Sequence, residues 1–250
     1  MSGHSKWATI KHKKAATDAK RGAAFTKIIR EITAAAKASG GNPDTNPRLR
    51  TAMDRAKGIN MQKSNIDNAV KKGTGELPGV IYEEFTFDAY GPGGVAMLIA
   101  GLTDNKNRTT AEIRNLLSKK SGNMASPGST SFLFSKKGVI NIEKSKISEE
   151  ALMEIALDAG AEDIGTDGSF HEVTCSPATY EAVKKALNDK NVPIASEELS
   201  MVPSSYIKLV GDQAKQLLDL MESLEDQEDV QNVYANFDIP EEEMDKISSS

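Results

Sequence analysis

Apolar side chains recur at the spacing of an α-helix over the first 75 residues. Gly40 ends the first and longest run, and Asn46 then offers an N-cap with Pro47 at the first helical position. A shorter run begins near Ser64 and stops at Gly73. Each run has one apolar stripe, so the pattern predicts three helices that pack as a small bundle. The stripe of the first helix consists of Phe25, Ile28, Ile29, Ile32 and Ala36.

The pattern changes after the third helix, where the order of apolar and polar positions predicts β-strands. Residues 82–89 and 95–102 form two strands, joined by Gly91-Pro92-Gly93-Gly94 in a type II turn. The Thr-Thr-Ala-Glu sequence that starts at Thr109 has the form of a capping box and predicts the start of a helix. A short strand is predicted for residues 132–134.

Residues 138–203 contain a complete β-α-β-β-α-β alternation, which is the order of the ferredoxin-like split unit. A strand, a helix and a strand follow over residues 206–237, and we expect them to pair with the strands of residues 80–134. The predicted fold class is α+β, with an N-terminal three-helix bundle followed by two α/β domains, one ferredoxin-like unit inserted in the other. The predicted domains are residues 1–78 (basic and helical), 79–134 plus 204–240 (α/β), 135–203 (the inserted ferredoxin-like unit) and 241–250 (an acidic, frayed tail).

The composition is that of a globular protein with small aliphatic cores, because 38% of the 250 residues are hydrophobic and only 5% are aromatic. Cys175 is the single cysteine, which excludes an internal disulfide and a thiolate-rich metal site. No apolar run approaches the ~20 residues that a membrane-spanning helix needs. The basic N-terminus is not followed by the apolar segment of a secretory signal. We therefore expect a cytoplasmic protein with no membrane partner.

Charge divides the chain into a basic head and an acidic body. Residues 1–75 contain sixteen lysines and arginines against five acidic residues, whereas the remainder contains fifteen against thirty-one. The head therefore carries a formal charge of +11 and the body one of -16. This asymmetry favours a polyanion-binding module over a merely solvated face. A membrane surface would also attract the head, but the head lacks the large apolar face of an interfacial helix.

Motifs of known catalytic chemistry are not found. The sequence has no Walker-type phosphate loop, and its glycine-rich turn does not match the dinucleotide fingerprint. His4, His12 and His171 are too few for a metal site without cysteine partners. Cys175 falls in a predicted strand, where a thiol is a core residue. We therefore expect neither an enzyme nor a cofactor, a metal or a small-molecule substrate.

The densest basic cluster lies at the N-terminus, where Gly3-His4-Ser5-Lys6-Trp7 precedes Lys11-His12-Lys13-Lys14. Lysines attract phosphates whatever the base sequence. Trp7 has two interpretations, since it could stack on an unpaired base or pack on the helical bundle. The candidate nucleic-acid-binding residues, taken over the whole chain, are Lys6, Trp7, Lys11, His12, Lys13, Lys14, Lys20, Arg21, Lys27, Arg30, Arg48, Arg50, Arg55, Lys106 and Arg108.

The last two of these residues belong to the segment Asn105-Lys106-Asn107-Arg108, which follows a strand and precedes a predicted helix. Its amides and cationic side chains would converge near a helix N-terminus, which is an anion-binding arrangement. Ordinary turn chemistry accounts for the asparagines equally well. The sequence leaves both interpretations open.

These motifs resemble the YebC/PmpR family of bacterial proteins, described as transcriptional regulators, with mitochondrial translational activators as relatives. The resemblance covers nearly the whole chain and implies three domains, one helical and two α/β, with the third inserted in the second. Its specific elements beyond the N-terminal cluster are Thr26 to Ile32, Asn42 to Lys57, Tyr90 to Gly94, Asn105 to Thr109 and Gly128 to Phe132.

The charge pattern and the resemblance leave three functions open. The first is a nucleic-acid-binding regulator of gene expression, with double-stranded DNA as the target. The second is a ribosome-associated translation factor that contacts ribosomal or messenger RNA and relieves stalling. The third is an interaction scaffold that acts through its acidic domains. No helix-turn-helix is evident and the loops are rich in Gly, Asn and Lys, so the sequence slightly favours RNA.

Replacement of Trp7 by alanine separates the two interpretations of this residue. Loss of a base stack should weaken single-strand binding by about 1–3 kcal/mol and leave the melting temperature unchanged. Loss of a core residue should lower the melting temperature, with binding lost only through unfolding. Thermal melting and single-strand titration of the same variant distinguish the outcomes. A destabilised variant that binds normally while folded would remove stacking from the mechanism.

Overall fold

The computed structural model describes residues 18–248. In chain order the helices are α1 (Asp18–Ser39), α2 (Pro47–Gly58), α3 (Lys63–Thr74), α4 (Lys106–Lys119), α5 (Glu149–Asp158), α6 (Tyr180–Asp189), α7 (Gly211–Asp226) and α8 (Glu241–Ser248). The strands are β1 (Glu83–Tyr90), β2 (Ala96–Thr103), β3 (Asn123–Met124), β4 (Phe134–Glu143), β5 (Ala161–Asp167), β6 (Phe170–Cys175), β7 (Ser196–Pro203), β8 (Ile207–Lys208), β9 (Val230–Ala235) and β10 (Phe237–Asp238).

The described residues divide into two compact units. The first unit contains residues 18–130 and 212–233, and the second contains residues 131–211 and 234–248. Most of the second unit is therefore a segment inserted in the first. The mixed α+β class predicted from the sequence is confirmed, whereas the three-domain boundaries remain a prediction.

Helices α1, α2 and α3 form the predicted bundle in the first unit. Their apolar stripes face one another, because each helix buries the residues that recur at the helical period. Helix α1 is the long member, and the shorter helices pack against it. The shared core consists of Ile32, Ala35, Ala36, Leu49, Ala52, Ala56, Met61, Ile66 and Ala69.

The connection from α1 to α2 depends on the buried side chain of Asn46. Its oxygen accepts a hydrogen bond from the Leu49 amide at 3.0 Å. Its nitrogen donates to the carbonyl oxygens of Ala35 and Gly40, both at 2.8 Å. Asn46 thus satisfies backbone groups at the end of α1 and at the start of α2, and the predicted N-cap is confirmed.

Helices α1 and α3 approach each other closely at Gly73. A Cβ atom at this position would lie 2.5 Å from the carbonyl oxygen of Thr33 and 2.7 Å from the Cβ atom of Ala36. No side chain fits there without separating the helices. The glycine therefore sets the contact distance, although helix propensity alone would favour alanine.

The first unit also contains a four-stranded sheet in the order β3-β1-β2-β9. Strands β1 and β2 pair antiparallel along their whole length. In the turn between them Gly93 has φ 72° and ψ 9°, and the Gly94 amide donates to the Gly91 carbonyl oxygen at 3.1 Å. This geometry agrees with the predicted type II turn.

Helix α4 begins earlier than the sequence pattern predicts. Asn105 caps it, since its side chain accepts a hydrogen bond from the Arg108 amide at 3.1 Å. Thr109 is buried inside the helix, and its hydroxyl donates to the Asp229 carboxylate at 2.6 Å. The capping box predicted at Thr109 is wrong, because a distant tertiary partner takes the hydroxyl.

The short strand predicted for residues 132–134 is also wrong. Residues Ser131–Leu133 form a 3-10 turn, and strand β4 starts at Phe134 and continues to Glu143. The first strand of the alternation predicted for residues 138–203 is therefore the second half of a longer strand.

The second unit contains the predicted ferredoxin-like arrangement. Its sheet has the order β5-β6-β4-β7, and each strand is antiparallel to its neighbours. Ser148 caps α5 by accepting a hydrogen bond from the Ala151 amide at 3.3 Å. Helices α5 and α6 pack on one face of the sheet. The core between them includes Ile140, Ile142, Leu152, Ala156, Val173, Cys175, Val183 and Leu187.

The strand predicted near residues 206–210 does not join the first sheet. Strand β8 instead pairs with β10 in a parallel two-stranded sheet, and β9 alone of the C-terminal strands enters the first sheet. The predicted frayed tail is helical over α8, and its Met244 is buried. An apolar residue that finds a core partner stabilises an otherwise acidic helix. Within residues 18–248, no helix is long and apolar enough to span a membrane.

Replacement of Gly73 by alanine should destabilise the protein by about 1–3 kcal/mol, because the added methyl group overlaps the backbone of α1. Replacement of Gly22 is the matched control, since a Cβ atom at this other helical glycine meets nothing within 4 Å. Gly22→Ala should be neutral or stabilise by up to about 1 kcal/mol. Urea unfolding of both variants measures the difference. Equal stability of the two variants would contradict the close approach.

Candidate nucleic-acid interface

The structure places the predicted site residues in three groups. Lys6, Trp7, Lys11, His12, Lys13 and Lys14 lie outside the described residues. Lys20 and Arg21 lie in the first turn of α1, where the backbone alone is described. The seven residues with described side chains are Lys27, Arg30, Arg48, Arg50, Arg55, Lys106 and Arg108.

Two of these seven residues converge on the carboxylate of Asp229, whose side chain is only 2% exposed. Arg30 Nη1 donates to Oδ1, and Arg108 Nη2 donates to Oδ2 at 2.9 Å. The hydroxyls of Thr109 and Thr103 lie 2.6 Å and 3.3 Å from Oδ2. A buried carboxylate with this many donors is stabilised in its charged form. We call these five residues the Asp229 cluster.

The backbone of Asp229 is fixed as firmly as its side chain. Its carbonyl oxygen accepts a hydrogen bond from the Leu102 amide of β2 at 2.8 Å. A Cβ atom at Gly101 would lie 2.0 Å from the same oxygen. Glycine at position 101 is therefore required for the segment before β9 to lie against β2. The Asp229 cluster consequently joins α1, β2, α4 and the chain leading into β9.

Two opposing effects act on the pKa of the Asp229 carboxyl. Burial raises it, whereas the hydrogen bonds from Thr109 and Arg108 and the charges of Arg30 and Arg108 lower it. The net result is a pKa below the ordinary aspartate value. The carboxylate is thus ionised in the folded protein at neutral pH, and it raises the pKa of Arg108 in return.

Lys27 and Arg30 fasten α1 to the end of α7. Lys27 Nζ donates to the carbonyl oxygen of Glu225, in the last turn of α7. Arg30 donates to the carbonyl oxygen of Glu228 at 2.8 Å and lies 5.6 Å above the centre of the Tyr82 ring. Its side chain is only 11% exposed. Cations at a helix C-terminus stabilise it, so both residues have structural roles here.

Arg48 is also neutralised within the protein. Its guanidinium forms ion pairs with Glu31, at 2.7 Å from Nε to Oε1, and with Glu84. These carboxylates raise its pKa, chiefly through the hydrogen bond with Glu31. The pairs lie in a groove of about 240 Å³ that Arg55 also lines. Since the groove contains charges of both signs, it does not concentrate positive potential.

Arg108 and Lys106 have different environments at the N-terminus of α4. Arg108 Nη2 lies 2.8 Å from Asp104 and 2.9 Å from Asp229, so its charge is balanced by two carboxylates. Lys106 is exposed. Both cations at this helix end are exposed, but Lys106 alone of the two has no carboxylate partner among the described residues, and Asn105 serves as the cap.

The remaining predicted residues, Arg50 and Arg55, are exposed on α2. Among the described residues, neither forms an ion pair. Four further lysines of the bundle are also exposed and form no ion pair among the described residues. They were not among the predicted site residues. Their positions off the apolar stripes are the sequence signal that identifies them. They are Lys37, Lys63, Lys71 and Lys72.

Helices α2 and α3 are joined by a short connection whose length is compatible with a helix-turn-helix. Four residues, Ile59 to Gln62, separate the helices. Asn60 adopts a left-handed φ of 58°, and the amides of Asn60 and Met61 donate to the carbonyl oxygens of Lys57 and Ala56, both at 2.9 Å. This Schellman arrangement ends α2 sharply, and buried Met61 anchors the turn. The short connection does not by itself make a helix-turn-helix, so the expectation that none is present stays a prediction.

On the face of the ferredoxin-like sheet opposite α5 and α6, the aromatic residue of the central strands is Phe170, at the hairpin end of β6, and the central positions carry none. In the register, Val139 lies opposite Thr174 and Asn141 opposite Glu172, and these residues alternate with those packed under α5 and α6. Sheets of this topology that bind RNA stack bases on aromatic residues at central positions. Glu172 in this place disfavours that mode.

Other chemistry is not visible in the described part of the chain. No group of three His, Cys, Asp or Glu residues within it could hold a metal ion. Cys175 is fully buried, and burial raises the pKa of its thiol. It is a core residue, as the sequence indicates.

Replacement of Asp229 by asparagine should lower the free energy of unfolding by about 3 kcal/mol at pH 7, because Arg30 and Arg108 lose the buried carboxylate that they share. The pKa of Asp229 is lower in the folded state than in the unfolded state. Its contribution to the free energy of unfolding is therefore complete above the unfolded pKa of about 3.9, and it is lost as pH falls through the folded pKa. Urea unfolding of the wild type and of Asp229→Asn should show that the difference between their free energies of unfolding shrinks from pH 7 to pH 2.5.

The exposed pair of Asp54 with Lys57, at 2.9 Å, provides the control. Asp54→Asn should cost less than about 1 kcal/mol. A similar small cost for Asp229→Asn, or a difference that does not depend on pH, would contradict the role of the Asp229 cluster.

Known proteins are similar to this chain over nearly its whole length. A family model described as "TACO1/YebC protein N-terminal domain" matches residues 5–76, and one described as "TACO1/YebC second and third domain" matches residues 82–237. A crystal structure of a conserved hypothetical protein from Aquifex aeolicus is similar, with a TM-score of 0.78 and 43% identity. The similarity covers 90% of this chain and 93% of that one.

Curated relatives agree with the family models. A protein of Geotalea uraniireducens is 53% identical over 99% of this chain and 100% of its own length. One of Treponema pallidum is 54% identical over 97% of this chain and 99% of its own length. Both bear the name "Probable transcriptional regulatory protein". The chain belongs to the TACO1/YebC family.

Proposed function

We propose that this chain is a nucleic-acid-binding regulator of transcription and that α2 and α3 contact duplex DNA. The observation that carries the proposal is the distribution of cations on the bundle. Arg30 and Arg48 are held by carboxylates, whereas Arg50, Arg55 and Lys63 are exposed and form no ion pair among the described residues. Exposed cations are those that can replace the counterions of a phosphate backbone.

Helix α3 is the proposed recognition helix. In a helix-turn-helix the N-terminal residues of the second helix reach base edges in the major groove. Helix α3 exposes Lys63, Ser64, Asn65 and Asn68. Asparagine forms a bidentate pair with adenine, and lysine or serine donates to guanine. These residue types match the chemistry of base readout.

The names of the relatives support transcription as the process, and the proposal places the protein with the nucleic acids of the cytoplasm. A ribosome-associated translation factor that binds RNA is the alternative, because the same cations would also contact RNA phosphates. A scaffold that acts through the acidic side chains is the third candidate. The α2–α3 connectivity favours the first of these functions.

Lys63→Gln should weaken binding to all duplexes alike and flatten the slope of log affinity against log salt by about 0.9, because one phosphate contact is lost. Replacing Asn65 and Asn68 together by alanine should leave the slope unchanged and remove sequence preference. Lys190→Gln, at an exposed position beside α6, is the charge-matched control and should bind normally. Salt-dependent titration and selection from a random 25-base-pair duplex pool measure these effects.

Crosslinking in cells separates the proposal from its alternative. Discrete promoter fragments recovered with the wild-type protein, and lost with the double asparagine variant, support DNA readout. Ribosomal or messenger RNA recovered in their place, with no motif enriched from the duplex pool, would replace transcription by translation.

A further inference from the structure

An exposed aromatic residue lies at one end of the ferredoxin-like sheet, where the start of β4 meets the end of β7. Phe134 pairs with Pro203, and the Ser204 amide donates to the Leu133 carbonyl oxygen at 2.8 Å. This hydrogen bond fixes the 3-10 turn that carries Phe132. The Phe132 side chain is nevertheless 75% exposed, which is the largest fraction among the exposed large apolar residues of the described chain.

Two short segments, residues 131–137 and 203–208, lie around Phe132. We call these two segments together the Phe132 patch. Tyr206 lies two residues beyond the bonded Ser204 and is 43% exposed. Since residues 132 and 206 flank the same backbone hydrogen bond, the two aromatic residues belong to one end of the sheet. Neither aromatic residue is part of the α2–α3 surface.

The Phe132 patch is a basic island in an acidic unit. Residues 131–211 and 234–248 contain eighteen acidic residues against nine lysines and arginines. The two segments of the patch contain three lysines and no acidic residue, and Asp238 of β10 lies opposite Lys208 in the register. Lys137 pairs with Glu162 at 2.7 Å, but Lys136 and Lys208 are exposed and form no ion pair among the described residues.

The residue types of the Phe132 patch favour an unpaired nucleotide over a protein as its ligand. A protein partner that buried Phe132 would need a continuous apolar surface, yet apart from Tyr206 and the lysines the neighbouring exposed residues are Ser135, Ser204 and Ser205. An aromatic face flanked by lysines and hydroxyl groups is instead the arrangement that stacks on an unpaired base and holds its phosphates. A base within a duplex could not reach the ring, because its faces are already stacked.

We propose that the Phe132 patch binds unpaired nucleotides, with Phe132 stacking on a base and with Lys136 and Lys208 pairing with the flanking phosphates. The proposal rests on nucleic-acid binding as the proposed function and adds a second contact of different chemistry. The α2–α3 surface takes a duplex, whereas the Phe132 patch takes a single strand.

The test uses the full-length protein and three substitutions of one residue. Phe132→Ala removes the ring, Phe132→Leu keeps apolar volume without a ring, and Phe132→Trp keeps a stacking ring. The probes are a labelled 12-mer of uridylate, a 12-mer of deoxythymidylate and a mixed-sequence 12-base-pair duplex. Phe132→Ala and Phe132→Leu should weaken single-strand binding roughly 5- to 150-fold, the range for one aromatic–base stack, and Phe132→Trp should retain it.

The three variants should keep the wild-type melting temperature and duplex affinity, because the side chain is exposed. Met153→Ala, which removes another exposed apolar side chain of the same unit, should bind both kinds of probe normally. Lys136→Gln should flatten the salt slope for single strands by about 0.7. The strand type with the larger loss on Phe132→Ala identifies RNA or single-stranded DNA as the preferred source of the unpaired bases.

Unchanged single-strand affinity of Phe132→Ala would overturn the proposal, as would a Phe132→Leu variant that binds like the wild type. Failure here is distinct from failure of the proposed function, which is read from the duplex affinity of Lys63→Gln. A protein whose duplex binding depends on Lys63 while its single-strand binding ignores Phe132 would retain the first site alone.

Discussion

The buried carboxylate of Asp229 is the constraint on which the first unit depends. It accepts hydrogen bonds from α1, β2 and α4, and its own backbone lies against β2 where only glycine fits at position 101. A buried charge is costly unless donors surround it. The elements that supply these donors must therefore keep their positions together, and the bundle and the sheet are joined through ionic contacts as well as apolar ones.

The contacts of Asp229 change how the charge of the basic head is interpreted. A count of charges assigns every lysine and arginine of residues 1–75 to polyanion binding, but a cation that neutralises an internal carboxylate contributes little attraction at the surface. Arg30 is of this kind, and so is Arg108 beyond the head, whereas Arg48 is balanced by Glu31 and Glu84 nearer the surface. Arg50, Arg55 and Lys63 are exposed and form no ion pair among the described residues, so they are the cations left to attract a polyanion. The proposed interface is consequently smaller than the charged segment.

The second unit shows that a shared topology does not transfer a binding mode. Its strand order is that of ferredoxin-like domains, yet its central strands place Glu172 and Asn141 where RNA-binding sheets carry aromatic residues. The exposed ring of Phe132 lies at the end of the sheet, on a turn fixed by one backbone hydrogen bond. Loops and element ends, held by a rigid scaffold, are common places for binding residues.

The sequence by itself determined features whose causes are local. The apolar period predicts α1, α2 and α3, and Asn46 lies three residues before the amide that it caps. The order of strands and helices in residues 138–203 follows from alternation along the chain. Only the tertiary structure decided the hydrogen bonds and ion pairs whose partners are distant in sequence. Thr109 satisfies the spacing of a capping box, but Asp229 takes its hydroxyl from 120 residues away. The same carboxylate converts Arg30 from a predicted phosphate contact into an internal ion pair, because charge alone cannot indicate which neighbour neutralises it.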